Sequence, residues 1–270
     1  MSTSLFNGTP APDLALHRAL HYGDGVFRTC FIYSQQVIDL NEQCELINAD
    51  AERLGLAPVP METLRREARE LAVAQARGVL KMMLLRGGRA RGYRRQDPAT
   101  DRLLCRYPAT TYPAAAWDRG VHVARSDFRL AAQPALAGIK HLNRLEQVLA
   151  SRDWPEGVDE LLVSDDQGRP ISGTRTNLFW VSGGVVRTPT LDRCGVSGHM
   201  RRKVLSIAGV RARLGEGSWE EVEAADEVFL TNSLIGIWPV ARLGARQWTA
   251  PGPVTRELTA RLSHPRLVAA

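Results

Sequence analysis

Lysine is scarce in this chain: Lys81, Lys140 and Lys203 are the only three among 35 lysines and arginines. Lys140 lies in the run GIKHLNRLEQVLA over residues 138–150. Leu142, Leu145, Val148 and Leu149 recur there at three- and four-residue spacing, which predicts one face of a helix beginning near Lys140. A lysine at that place meets the positive end of the helix dipole, which disfavours its ammonium and makes the neutral amine more accessible. Such an amine suits a Schiff base or general-base chemistry. A solvated lysine at a helix start is the other reading of the same residues.

Two further runs could bind anions. In CGVSGHMR (residues 194–201), Gly195, Ser197 and Gly198 precede an expected helix, so free backbone N–H groups there form an anion site. An ordinary N-cap by Ser197 is compatible with it. In RGGRARGY (residues 86–93), glycines let the chain turn while guanidiniums reach a carboxylate or phosphate, the alternative being a surface turn. Cys30, Cys44, Cys105 and Cys194 lie far apart, with no CxxC pair and no histidine at zinc-ligand spacing. Reduced thiols and no metal are expected.

These groups must be carried by a chain of 270 residues, 44% hydrophobic, long enough for one large domain or two modest ones. The net charge of +6 and pI near 9.5 come from arginines spread along the chain and not interleaved with aromatics. That spread gives no compact nucleic-acid patch, and an electropositive pocket for a small acidic molecule fits the charge equally well; no nucleic-acid partner is expected. The N-terminal residues lack the basic and apolar regions of a signal peptide, and no apolar run could span a bilayer. A cytoplasmic protein with no membrane partner is expected.

Strands are predicted over Val26–Tyr33, Val37–Leu40, Val79–Leu85 and Leu103–Tyr107, with helices over 41–55 and 61–77. A proline- and alanine-rich linker over 111–118 separates this smaller N-terminal α/β domain, residues 1–110, from a larger C-terminal α/β domain, residues 119–270. There, strands at Val121–Ala124, Asp159–Asp166, Ile171–Val181, Val185–Pro189 and Asp226–Ser233 read as antiparallel hairpins. A helix opening after Gly198 carries Val204, Ile207, Ala208 and Val210.

Taken in order, HYGDGVFRT (21–29), RGY (91–93), GIKHLNRLEQ (138–147), TNLFW (176–180), Thr188-Pro189 with Leu191-Asp192, and GVSGHMR (195–201) resemble the fold-type IV pyridoxal-phosphate enzymes. The block around Lys140 most closely resembles the 4-amino-4-deoxychorismate lyase branch. The resemblance implies a two-domain α/β (α+β) fold like that of D-amino acid aminotransferase, a cofactor cleft between the domains and a homodimer. It implies conversion of 4-amino-4-deoxychorismate to 4-aminobenzoate and pyruvate in folate synthesis, with Lys140 as Schiff-base lysine and general base. Pyridoxal 5'-phosphate would be held by Lys140, with its phosphate on Val196, Ser197, Thr231 and Asn232. The substrate would meet Arg28, Arg91, Tyr93 and Asn143.

Two positions depart from the family's pattern. Leu46 stands where the family has an arginine on the cofactor phosphate, and Gly173 where it has a glutamate on the pyridine nitrogen. The loss of two charged partners weakens cofactor binding, each being worth on the order of a few kcal/mol. Three readings stay open: a pyridoxal-phosphate lyase, a cofactor-independent lyase with Lys140 directly as base, and a non-catalytic relative that binds an acidic metabolite or a partner chain.

Overall fold

The structure, a computed structural model, describes residues 3–11, 14–88, 92–94, 99–266 and 268. Two compact units divide the chain, one of Met1–Thr110 with Ile139–Asn143 and one of Thr111–Gly138 with Arg144–Ala270.

In the first unit, β1 (Ser4–Phe6), β2 (Thr9–Pro10), α1 (Arg18–Tyr22), β3 (Gly25–Tyr33), β4 (Gln36–Val37), α2 (Leu40–Arg53), α3 (Met61–Ala72), β5 (Arg77–Arg86) and β6 (Thr100–Pro108) follow in order. The strands pair antiparallel as β2-β1-β6-β5-β3-β4. Alternate strand residues point to one face, so Val26, Cys30 and Ile32 of β3 and Leu80, Met82 and Leu84 of β5 share a core with the helices. The helices supply Cys44, Ile47 and Ala51, and Leu64, Ala68 and Leu71, at helical spacing. The strand expected over Val37–Leu40 is shorter, because Asp39 adopts φ 53° and turns the chain into α2. The helix expected over 61–77 ends at Ala72, since Arg77 already pairs with β3 and residues from Gly78 onward pair with both β3 and β6.

The second unit contains α4 (Ala115–Asp118), β7 (Val121–Leu130), α5 (Leu145–Ala150), β8 (Glu160–Asp165), β9 (Pro170–Gly173), β10 (Asn177–Ser182) and β11 (Val185–Thr188). After these come α6 (His199–Ser206), β12 (Ala212–Leu214), α7 (Trp219–Ala224), β13 (Glu227–Asn232), β14 (Gly236–Leu243), β15 (Arg246–Gln247) and α8 (Pro253–Leu262). Its sheet runs β12-β11-β10-β13-β14-β7-β8-β9, with β15 on β14. The pair Ser172↔Asn177 joins β9 back to β10, so β10, β13, β14, β7, β8 and β9 close into a ring. Phe179 and Phe229 stack at 4.8 Å among the buried residues packed with α6 and α8.

This unit is not built of antiparallel hairpins alone. β7 runs parallel to β8 and β14, and β11 parallel to β12. A parallel pair needs a long crossover, and the stretch of residues 131–159 between β7 and β8 is that crossover and carries Lys140. The strand expected over Ile171–Val181 is two strands, because Thr174, Arg175 and Thr176 fold over the Glu160 carboxylate. The helix expected to include Val210 ends at Ser206. Residues 111–118 include α4, whose buried Trp117 donates its indole N–H to the Ile235 carbonyl at 2.8 Å. No helix among the described residues is long and apolar enough to cross a membrane.

Candidate active site

Lys140 is not at the mouth of a helix. The nearest helix, α5, starts at Leu145, and its apolar residues Leu145, Val148 and Leu149 are 74%, 63% and 49% exposed. Lys140 therefore does not sit at the positive end of the α5 dipole. Lys140 instead lies on a short extended segment laid along the edge of β3. Phe27 N–H donates to the Lys140 carbonyl and Leu142 N–H to the Gly25 carbonyl, both at 2.9 Å, around an antiparallel bridge between Val26 and His141. On the other side, Lys140 N–H donates to Asp50 Oδ2 at 3.0 Å. Lys140 Nζ stands over the Phe27 ring, 4.6 Å from its centroid, and Lys81 Nζ lies 4.8 Å from the same centroid. A ring face attracts a cation and gives Nζ a fixed seat.

At the Gly23-Asp24-Gly25 turn a side chain and a neighbouring strand come close to the backbone. Asn143 Nδ2 donates to the Gly23 carbonyl at 3.1 Å, and Gly23 adopts φ +61°, where a Cβ would lie 2.3 Å from Asn143 Oδ1. A Cβ at Gly25 would lie 2.5 Å from the Leu84 carbonyl oxygen. Gly25 is therefore required by the backbone beside it, and Gly23 by its positive φ.

Arg28, expected to meet a substrate carboxylate, is buried and committed to α2. Its position on β3 turns it to the same face as Val26 and Cys30, where Nη2 donates to Asp50 Oδ2 at 2.6 Å and to the Leu46 carbonyl at 3.3 Å. Leu46 itself is buried and brings no charge. Tyr93 is 88% exposed and meets Tyr22 edge-on at 5.6 Å. The neighbouring Gly92 is anchored by its N–H to Tyr22 Oη at 3.0 Å and by Arg18 Nη1 on its carbonyl at 2.7 Å. Arg91 lies outside the described residues.

In the second unit the loop before α6 is braced by Asn177. Its Nδ2 donates to the Val196 carbonyl at 2.8 Å, and its Oδ1 accepts from Gly198 N–H at 3.2 Å. Ser197 does not cap α6; the N-cap is Gly198, and Ser197 N–H donates to the Gly138 carbonyl at 2.9 Å. Across the ladder Asn177 pairs with Thr231, which is fully buried and whose Oγ1 has no hydrogen-bond partner. Asn232 Oδ1 accepts from Leu234 and Ile235 N–H at 2.8 and 3.0 Å, closing the turn into β14. Arg201, one turn into α6, is held by two neutral acceptors, Thr188 Oγ1 and the Pro189 carbonyl. Burial, with Arg202 nearby, lowers its pKa to about 10, which leaves it a cation at neutral pH. A buried orphan hydroxyl beside a helix N-terminus, with a cation on that helix, is a donor set that suits a phosphate.

Gly173 is enclosed. A Cβ there would lie 2.1 Å from Thr176 Oγ1 and 2.8 Å from Glu160 Cδ. Glu160 is fully buried, and its carboxylate accepts from Leu161 N–H, Thr174 N–H and Thr174 Oγ1 at 2.9, 3.2 and 2.7 Å. Burial pushes its carboxyl above the usual carboxylate range, against the pull of the Thr174 hydrogen bond and of Arg175. Arg175 turns toward this group, its Nε 3.6 Å from Glu160 Oε2.

Asp50, Phe27, Asn177 and Glu160 are the site residues that the residue pattern did not single out. Phe27 and Asn177 lie within HYGDGVFRT and TNLFW, respectively. Asp50 carries no local signal beyond lying one helical turn after Leu46. The four cysteines are free thiols. Burial pushes Cys44 up to about 11 and Cys194 to about 12, and moves Cys30 and Cys105 upward too, so they supply no thiolate at neutral pH. Among the described residues, no group of three or more His, Cys, Asp or Glu could hold a metal ion.

The profile of the class IV amino-transferases matches residues 25–243. The chain belongs to this family, the fold-type IV enzymes. Among its relatives is an aminodeoxychorismate lyase from Vibrio harveyi, 33% identical over 95% of this chain and 96% of the relative. The solved structure of 4-amino-4-deoxychorismate lyase from Pseudomonas aeruginosa is 38% identical, with TM-score 0.89, covering 96% of this chain and 97% of that one. The branched-chain amino acid aminotransferase of Escherichia coli, 24% identical with TM-score 0.83 over 97% of this chain and 94% of that one, shows the fold alone.

Proposed function

We propose that the chain is an aminodeoxychorismate lyase, releasing 4-aminobenzoate and pyruvate from 4-amino-4-deoxychorismate. The observation that carries this reading is the seating of Lys140, one of three lysines, between the β3 backbone, Asp50 and the Phe27 ring. Relatives named as this lyase that span nearly the whole chain support it. In the reaction Lys140 Nζ takes the proton from the ring carbon that bears the amino group. The ring becomes aromatic as the bond to the enolpyruvyl oxygen breaks, and the departing enolate takes up a proton to become pyruvate. Bound pyridoxal phosphate would supply an electron sink for the charge left by that proton. Lys140 would hold it, and Val196, Ser197, Thr231 and Asn232 would take its phosphate. Ser197 would do so through its hydroxyl, because its N–H is already engaged.

Thr231→Val keeps the shape and removes the orphan hydroxyl. It should weaken pyridoxal-phosphate binding by about tenfold, one hydrogen bond to a charged group, as read by equilibrium dialysis. Unchanged affinity would remove Thr231 from the phosphate set.

Leu46 and Gly173 carry a second reading, a lyase in which Lys140 is the base without a cofactor. The purified protein, stripped of pyridoxal phosphate and then resupplied, is given 4-amino-4-deoxychorismate, and 4-aminobenzoate is measured. Product only after resupply selects the first reading and product in both selects the second. Absence of product from folded protein in both favours a non-catalytic relative. The exposed Leu145, Val148 and Leu149 support a homodimer, which sedimentation equilibrium would detect.

A further inference from the structure

We infer that Asp50 is the positioning residue of Lys140, a role that rests on the reading of Lys140 as the reacting amine. Where Val26 bridges His141, the next antiparallel pair is Phe27 with Lys140, and a regular ladder would exchange two hydrogen bonds between them. Phe27 N–H does reach the Lys140 carbonyl. The Lys140 N–H goes instead to Asp50 Oδ2, at 3.0 Å. The same oxygen takes Arg28 Nη2 at 2.6 Å, and Arg28 also bonds the Leu46 carbonyl one turn earlier on α2. One buried carboxylate oxygen thus ties the helix, the strand and the lysine segment together. It leaves the ladder at the residue whose side chain must point to the reacting atoms and sets the main-chain direction from which Nζ reaches the Phe27 ring. Arg28 orients Asp50, and Asp50 acts through the Lys140 main chain without touching substrate.

Removing Asp50 alone strands a buried guanidinium, so the test exchanges the pair. Arg28→Met with Asp50→Leu and Arg28→Met with Asp50→Asn are both neutral and near-isosteric. They differ in whether an acceptor remains for the Lys140 N–H. The Asn form should exceed the Leu form by about tenfold to a hundredfold in kcat, the scale of a small misplacement at a reacting group, with KM unchanged. The same ratio should appear in the rate at which pyridoxal 5'-phosphate is trapped on Lys140 by borohydride, read by peptide mass spectrometry without substrate. Asp50→Asn against Asp50→Ala, in which Arg28 is retained, gives a second comparison with the same expected order. Equal values for acceptor and non-acceptor forms, or a difference confined to KM, overturn the proposal. If Lys140→Ala leaves product formation intact, the functional reading falls; if it abolishes product while the paired forms match, only the role of Asp50 falls.

Discussion

Lys140→Ala should lower 4-aminobenzoate formation by about three orders of magnitude or more, the scale seen when a nucleophile or base is deleted from a site that acts as a unit. The fold should survive this change. The hydrogen bonds that seat the segment, from Phe27 N–H to the Lys140 carbonyl and from Lys140 N–H to Asp50, are made by main-chain atoms of residue 140 and remain available to alanine. The thermal midpoint should therefore move little while turnover disappears. Lys140→Arg should be equally inactive, since a guanidinium keeps the charge but does not give up its proton near neutrality. Product measured by fluorescence alongside circular dichroism checks both parts. Turnover within tenfold of the parent would take Lys140 out of the chemistry.

The second large effect is on stability. Read in sequence alone, Gly173→Glu looks like a repair that returns an acidic group to a vacated position. The structure predicts the opposite, because the first side-chain atom would collide with Thr176 Oγ1 and with Glu160. Relief requires moving Thr176 or opening the cluster of donors on the Glu160 carboxylate, and a second carboxylate would then face the first. Overpacking commonly costs about 1–3 kcal/mol, and disturbing a satisfied buried acid adds to it. A loss of about 2–5 kcal/mol is expected, seen as a lower urea midpoint. Stability equal to the parent's, with tighter pyridoxal phosphate, would show that Glu160 and Thr176 yield easily.

Much of the architecture was legible because β-branched and aromatic runs such as residues 25–33 and 177–182 fold locally into strands. The helix expected over 61–77 is present over Met61–Ala72, where Leu64, Ala68 and Leu71 recur at helical spacing. The misreading at Lys140 has the same root: Leu142, Leu145, Val148 and Leu149 keep helical spacing, yet tertiary pairing with β3 takes the first residues of that run into an extended segment. Arg28, which the resemblance set against a substrate carboxylate, meets a counter-ion 22 positions away on α2, a pairing that no local spacing records. The reach of Glu160 into the turn at Thr174–Thr176 and of Asn177 to Val196 and Gly198 arises across strands, and no periodicity records it.

The ring of the second unit closes through a single residue pair, Ser172 with Asn177. That makes its seam the thinnest part of an otherwise continuous hydrogen-bonded belt, and one stitch of the seam is also the residue that clasps the loop before α6. Asn177 thus serves the seam with its main chain and the loop with its side chain. Truncating the Asn177 side chain should free the loop and leave that stitch of the ring in place.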